Sequence, residues 1–274
     1  MVSNIKDGLY MAIQNWKTFL LPYEQAVEEL KVKLKSLRKE YRKKNEYSPI
    51  EFVTGRVKEV SSLLEKANKF GIPLDRVGQE MEDIAGIRIM CQFVDDIDKV
   101  VELLRARKDM QILYEKDYVR NVKGSGYRSY HVIIKYLVNT AEGPKEILAE
   151  FQIRTLAMNF WATAEHSLNY KYKQHIPNEI KDKLKKAADA AFELDEQMLE
   201  IKDEIKDAQK LFEVKSDIIS NIMSNILTLM SLGKIAEASR YQVSLNRLIE
   251  EGEVWELSNL LDMIKKDIEK YREI

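Results

Sequence analysis

Ten apolar residues, Ile180, Leu184, Ala187, Ala191, Leu194, Met198, Ile201, Ile205, Ala208 and Phe212, follow one another at intervals that alternate strictly between four and three. A strand cannot use that period, because its faces alternate at every second residue. A helix turns it into one continuous apolar seam, and a seam of this length must be covered by other helices. Residues Asp217 to Ile274 carry helical patterning broken near Gly233 and Gly252 and can supply the cover from within the chain; a second copy can supply it from outside. The sequence leaves both open.

Ahead of the seam the pattern changes to short strands. Ile84 to Phe93, Gln111 to Val119, Tyr127 to Val138 and Lys145 to Arg154 read as strands, and Phe52, Val53 and Val57 favour a further short one. The last three are joined by loops too short for crossover helices, so they are antiparallel neighbours in a mixed sheet of about five strands. Helices are expected at Val60 to Phe70, closed by Gly71, at Asp95 to Lys108 and at Thr155 to Tyr172, with Pro177 opening another. At the start, Leu9, Ala12, Ile13, Trp16, Phe19 and Leu20 form a helical stripe over Ile5 to Leu20. Pro22 suits the first turn of a second helix, which Ser48 and Pro49 break. The fold class is α+β, with segments 1–47 (N-terminal helices), 48–175 (the sheet-bearing domain) and 176–274 (helical region for assembly or regulation).

A formal net charge of -1 conceals 32% charged residues, so anion binding must come from local basic clusters rather than a global field. The run KVKLKSLRKEYRKK from Lys31 is one such cluster. A solvated helix face explains it more simply than a phosphate or RNA contact, although RNA stays a candidate partner. The single cysteine, Cys91, can form no internal disulfide and reads as core filler in a reducing compartment. Neither a signal-peptide pattern nor an apolar run of about 18 residues is present, so the expectation is a cytoplasmic protein without a membrane span.

Polar residues collect at the strand starts. The loop in DYVRNVKGSGYRSYH, Asp117 to His131, holds two glycines and opens onto an alternating strand that sets Tyr127, Ser129 and His131 on one face. In EILAEFQIRT, Glu150, Gln152 and Arg154 alternate with Ala149, Phe151 and Ile153; in EFVTGRVK, Arg56 and Lys58 sit two apart and share a face. Three strands pooling such groups make the floor of a nucleotide site.

Four motifs in fixed order, EDIAGIRI, KGSGYRSYH, AEFQIRT and MNFWATAEHSLNYKY, resemble the synthetase domain of the RelA/SpoT superfamily over roughly Ser48 to Tyr172, and most of all its small alarmone synthetases of the RelP/RelQ type. The resemblance implies a nucleotidyltransferase-like fold and transfer of the β,γ-pyrophosphoryl group of ATP to the 3′-hydroxyl of GDP or GTP, with GMP a further acceptor that the sequence does not rank. Under it, Asp83 and Glu150 match the Mg²⁺ ligands, and Glu150 is also placed to take the hydroxyl proton. Arg56 and Arg88 match the pair that sandwiches adenine, with Lys58, and then Lys66 and Lys69, on the ATP phosphates. Tyr127 matches the guanine-stacking residue. Lys123, Arg128 and His131 stand ready for acceptor phosphates, and Gln152 and Asn159 match further acceptor contacts. Glu165 and His166 are left between structural and functional roles.

Phe52 and Thr54 match a segment where relatives of the RelQ type bind alarmone between subunits, which implies a homotetramer with the alarmone as allosteric ligand. Asp83 and Arg88, five apart, should face opposite sides of a regular strand; a bulge at Gly86, or an Asp83 lying before the strand, would reconcile them. Three histidines, none followed by Asp, imply a synthetase without the family's hydrolase. YEKD stands where hydrolase-bearing relatives resemble RxKD, which leaves acceptor choice open. The rival expectation is a non-catalytic alarmone- or RNA-binding regulator on the same scaffold; retention of both carboxylates and both arginines favours the enzyme.

Overall fold

The β-branched runs pair as one mixed sheet of five strands in the order β1-β2-β5-β4-β3: β1 Phe52–Val57, β2 Ala85–Cys91, β3 Gln111–Asp117, β4 Tyr130–Thr140 and β5 Gly143–Thr155. Only β2 and β5 run parallel; every other neighbouring pair is antiparallel, as the short connections among β3, β4 and β5 require for those strands. The computed structural model that defines this arrangement describes residues 2–171 and 177–272, in two compact units, Met1–Leu199 and Glu200–Ile274. Tyr172 and the side chains of Leu9, Ala12 and Ile13, all named in the sequence reading, lie outside the described residues.

Strand parity separates core from site. Val53, Ile87, Ile89, Ala149, Phe151, Ile153, Val132 and Ile134 share one face, and all are buried. They pack with Ala26, Val27, Leu30 and Leu34 of helix α1, Val2–Lys43, and with Ile97, Val100, Val101 and Leu104 of helix α4, Asp95–Arg105. Gly55 lies on this face, and a Cβ there would come within 2.8 Å of Val27 Cγ1, so the missing side chain is what lets α1 lie against β1. Between β1 and β2 come α2, Val60–Phe70, with its end at Gly71, and a one-turn α3, Val77–Glu80. Cys91 is fully buried, and burial pushes its thiol well up, in keeping with core filler.

Two expectations are corrected here. The expected break at Pro22 is absent, and α1 runs unbroken through it. Proline costs a helix interior roughly 3 kcal/mol. Tyr23, Ala26, Val27 and Leu30 just beyond it, and Phe19 and Leu20 just before it, pack on the same core, and each buried large side chain returns about 1.5–3 kcal/mol. The strand expected from Tyr127 begins instead at Tyr130, so Tyr127, Arg128 and Ser129 belong to the loop that leads into it.

After α5, Leu156–Lys171, a single helix α6 spans Asn178–Ser231. The heptad seam is exposed from Leu194 onward. Leu194, Met198, Ile201, Ile205 and Phe212 stay exposed, Phe212 at 74%. The neighbouring line of α6, with Ala191 of the seam at its margin, faces the sheet domain: Trp161 of α5 donates to the Leu184 carbonyl at 2.7 Å, Ala188 is buried with Trp161 and Ala162, and Asp195 is 5% exposed. In the second unit, Ile222, Ile226 and Leu229 of α6 close a small core with Ala238, Leu245 and Leu248 of α7, Ile235–Glu251, and Leu257, Leu261 and Ile264 of α8, Val254–Arg272. The breaks near Gly233 and Gly252 stand where the sequence puts them.

Thr155 at the end of β5 does two jobs: its Oγ1 accepts the Met158 N–H at 3.1 Å, capping α5, and donates to Asp195 Oδ2 at 2.5 Å. Burial raises the Asp195 carboxyl to about 6. The folded state then holds a proton that the unfolded state releases near pH 4, so stability is full below the unfolded value and falls as pH rises through about 6. Asp195→Asn should therefore be more stable than the parent at pH 7.5, by about 2–3 kcal/mol at most, with the gap closing by pH 4. Urea unfolding at the two pH values reads this; a gap that does not change with pH would contradict it.

Candidate active site

The face opposite the core carries the chemistry. Register places Arg56 across from Gly86, Arg88 beside Gln152, Gly86 beside Glu150, and His131 across from Gln152. Arg56, Arg88, Glu150, Gln152, Arg154 and His131 therefore project to the same side.

Five of these groups and neighbours close a polar ring. Glu150 Oε1 lies 2.8 Å from His131 Nδ1, and His131 Nε2 lies 2.9 Å from the Tyr127 hydroxyl. Arg154 Nη2 donates to that hydroxyl at 2.6 Å and to Gln152 Oε1 at 2.9 Å, and Gln152 Nε2 returns to Glu150 Oε2 at 2.7 Å. Every donor finds an acceptor when His131 carries its proton on Nδ1 and Tyr127 donates to Nε2. Burial works against the Glu150 charge, but the His131 and Gln152 donors outweigh it and hold the carboxyl below its ordinary value. Arg154 also donates from Nε to Ser129 Oγ at 3.2 Å, with its guanidinium 5.1 Å from the Tyr127 ring centre.

Asp83 sits in the turn before β2, and β2 pairs with β5 without a bulge, so the parity difficulty is resolved by position rather than by distortion. Lys58 Nζ, 2.7 Å away, and Lys66 Nζ, 2.9 Å away, both hold it. Burial would raise its carboxyl, yet the two ammonium groups bring it below the ordinary value. Asp83 and Glu150 line one small cavity with Arg56, Lys58, Gly86, Arg88 and Gln152. Among the described residues no group of three or more His, Cys, Asp and Glu side chains converges. A pair of ionised carboxylates lining one small cavity fits a hard divalent cation that takes its other ligands from water and phosphate.

Around the carboxylates stands an excess of positive charge. Burial, with the neighbouring Arg154 and Arg56 charges, holds the Arg88 guanidinium below its ordinary value. A 340 Å³ cavity joins Arg56, Arg88, Tyr127, Gln152 and Arg154 to Glu165 and His166 of α5, and a second of 380 Å³ is lined by Lys58, Lys66, Lys69 and Asp83. At the loop end, Lys123 Nζ lies 4.1 Å from the Tyr118 ring centre and 4.9 Å from that of Tyr127.

Not every residue named from the sequence points inward. Arg128 is engaged by α6, 3.2 Å from Asp189 and 4.4 Å from the Phe192 ring centre. Asn159 has a buried Oδ1 without a hydrogen-bond partner. Phe52 and Thr54 are exposed on the Arg56 face of β1, Thr54 across from Arg88. In the basic run of α1, Lys31, Lys33, Arg38 and Lys44 are ion-paired to Glu28, Asp109, Glu51 and Glu40. Sequence reasoning missed Tyr118 and Lys116 and gave Arg154 no role. Lys116 pairs with His131 across β3 and β4, a neighbour that register alone reveals.

A sheet whose open face combines two carboxylates, clustered guanidinium groups and a basic, aromatic loop defines a nucleotide phosphotransfer scaffold. Residues 55–175 match the family model described as the region found in RelA / SpoT proteins. The chain is 58% identical to the GTP pyrophosphokinase YjbM of Bacillus subtilis (strain 168) over 69% of this chain and 89% of that protein. A solved structure of small alarmone synthetase 1 from Bacillus subtilis bound to its product pppGpp superimposes with a TM-score of 0.68 at 57% identity, over 70% of this chain and 98% of the other. The same enzyme bound to AMPCPP gives 0.63 at 53% identity, with the same coverage. The chain belongs to the RelA/SpoT family, among its small alarmone synthetases. No helix among the described residues is long and apolar enough to cross a membrane.

Both carboxylates being held low, the ion pairs of Asp83 and the hydrogen bonds to Glu150 stabilise the fold above the ordinary carboxylate range, and that contribution is lost as pH falls through the lowered values. The urea midpoint of the parent should therefore fall more steeply between pH 6 and pH 3 than that of the double variant Asp83→Asn, Glu150→Gln. Parallel curves would contradict the ion pairs.

Proposed function

We propose that the protein makes alarmone by moving the β,γ-pyrophosphoryl group of ATP to the 3′-hydroxyl of GDP or GTP, and that it does not hydrolyse the product. The observation that carries this reading is the Glu150 ring, set between the guanidinium cluster of β1 and β2 and the Tyr127 loop, so that donor and acceptor nucleotides approach one carboxylate from two sides. Arg56 and Arg88 take the two faces of adenine, a task for planar guanidinium. Lys58, Lys66 and Lys69 take the phosphates, and the first two exchange Asp83 for phosphate oxygens when ATP arrives. Asp83 and Glu150 would hold Mg²⁺, which would supply charge neutralisation for the transferring group.

On the acceptor side Tyr127 stacks on guanine, and the base displaces the Lys123 ammonium toward the acceptor phosphates, where His131 joins it. Gln152 and Asn159 complete the acceptor contacts. Glu150 receives the hydroxyl proton as the 3′-oxygen bonds to Pβ and AMP departs. Held below its ordinary value it is a weak base, which suffices because phosphoryl transfer draws on alignment and charge neutralisation more than on proton abstraction. Segment 48–175 carries this chemistry, in the cytoplasm. Segment 176–274 serves assembly and regulation, with alarmone bound at Phe52 and Thr54 of a homotetramer, on the same strand face as Arg56.

With Mg²⁺, labelled ATP and GDP, the purified chain should form guanosine carrying a 3′-diphosphate. Asp83→Ala and Glu150→Ala, folded by circular dichroism, should form none; normal turnover by either would sink the assignment. Tyr127→Ala should raise the acceptor KM about 10- to 100-fold, the worth of one lost stacking face, with little change for ATP. Arg88→Lys should raise the ATP KM instead. Light scattering at micromolar concentration should give the mass of four chains, and a monomer would refute the assembly.

A further inference from the structure

The loop that carries Tyr127 is not free-standing. Its turn closes through the Gly126 N–H on the Lys123 carbonyl at 2.8 Å, and Gly126 takes a φ of +87°, a left-handed conformation suited to glycine. A Cβ at Gly126 would lie 2.6 Å from Ala188 Cβ and 3.5 Å from the Lys185 backbone, so the loop main chain rests directly on α6. Arg128 joins the two: Nη1 donates to the Gly126 carbonyl at 3.3 Å and to the Ala188 carbonyl at 3.4 Å, and Nη2 to Asp189 Oδ1 at 3.2 Å. Its guanidinium covers the Phe192 ring, and its side chain is only 12% exposed. Tyr127 itself packs against the cluster of Trp161, Ala162 and Ala188, and Trp161 fixes α6 through the Leu184 carbonyl.

We propose that Arg128 is a positioning residue for the acceptor nucleotide: clamped by Asp189 and Phe192, it seats the Lys123–Tyr127 loop on α6 and so sets the guanine-stacking ring. This rests on the acceptor-side reading above. It departs from a direct phosphate contact by Arg128, and the two make opposite predictions for Asp189. A clamp weakens when Asp189 loses its charge, and acceptor binding suffers. A phosphate ligand is released by the same change, and acceptor binding improves. The guanidinium also has a planar, bidentate and stacking role that an ammonium group cannot reproduce.

The test compares the full-length parent with Asp189→Asn, Arg128→Ala, Arg128→Lys and the double variant Arg128→Ala, Asp189→Asn. Asp189 is half exposed, so its substitution leaves the core untouched. Asp189→Asn should raise the KM for GDP about three- to tenfold, the worth of one charge-assisted hydrogen bond, while kcat and the KM for ATP hold. Arg128→Ala should raise it further, Arg128→Lys should not rescue it, and the double variant should be no worse than Arg128→Ala alone. Hydrogen–deuterium exchange without nucleotide should show faster exchange at residues 122–128 in each variant. A lower GDP KM in Asp189→Asn, equal changes for both substrates, or unchanged loop exchange would overturn the clamp. Because exchange is read without substrate, a parent that makes no alarmone would refute the proposed reaction and leave the seating of the loop to be judged on exchange.

Discussion

A carboxylate nine-tenths buried at the centre of a sheet survives only if donors replace the water it has lost, and Glu150 has two: His131 across the β4–β5 ladder and Gln152 two residues along its own strand. Neither donor is independent. His131 is oriented by the Tyr127 hydroxyl, Gln152 by Arg154, and Arg154 holds the same hydroxyl, so the ring is fixed only as a whole. The register that brings these strands together is in turn enforced by the other face, where Phe151, Val132 and Ile134 are wholly buried. A slip of one residue would drive Glu150 into the core and Phe151 into water. Core packing is thus what aims the site.

The ring is nearly neutral, and its surroundings are not. Arg56, Arg88, Arg154, Lys58, Lys66 and Lys123 all border a region in which Asp83 and Glu150 are already engaged. Burial and the Lys116 and Arg154 charges lower the Lys123 ammonium in spite of Glu150, and burial with Arg154 and Arg56 lowers Arg88. On the proposed reading, substrate phosphates would relieve these repulsions, so that binding and charge compensation would coincide. Salt should compete with both nucleotides for the same reason.

Much of this was legible in the chain. Alternation in EILAEFQIRT fixed which side Glu150, Gln152 and Arg154 share, and the glycine loop with its aromatic pointed to a nucleotide face. What escaped has physical causes. Tyr118 and Lys116 meet the site through register and ring packing, which no local pattern encodes. Pro22 is a strong local signal that burial on both of its sides overrode. On α6 the heptad seam was the loudest pattern, yet the helix meets the sheet domain mainly along Ala188, Phe192 and Asp195, a line of mixed character beside the seam whose members look like surface until their partners are known. Of the seam, Ala191 joins that contact, and the residues from Leu194 onward are exposed.

The claim on which the rest turns is that Asp83 and Glu150 share a metal and that the lysines now on Asp83 belong to ATP. A crystal structure with Mn²⁺ and a non-hydrolysable ATP analogue tests it, because anomalous scattering locates the metal without reference to the protein. The account predicts one peak in contact with both carboxylates and the phosphate chain, with the Lys58 and Lys66 ammonium groups moved from Asp83 to phosphate oxygens. A metal bound away from Glu150, or lysines still paired with Asp83 beside a bound nucleotide, would contradict it.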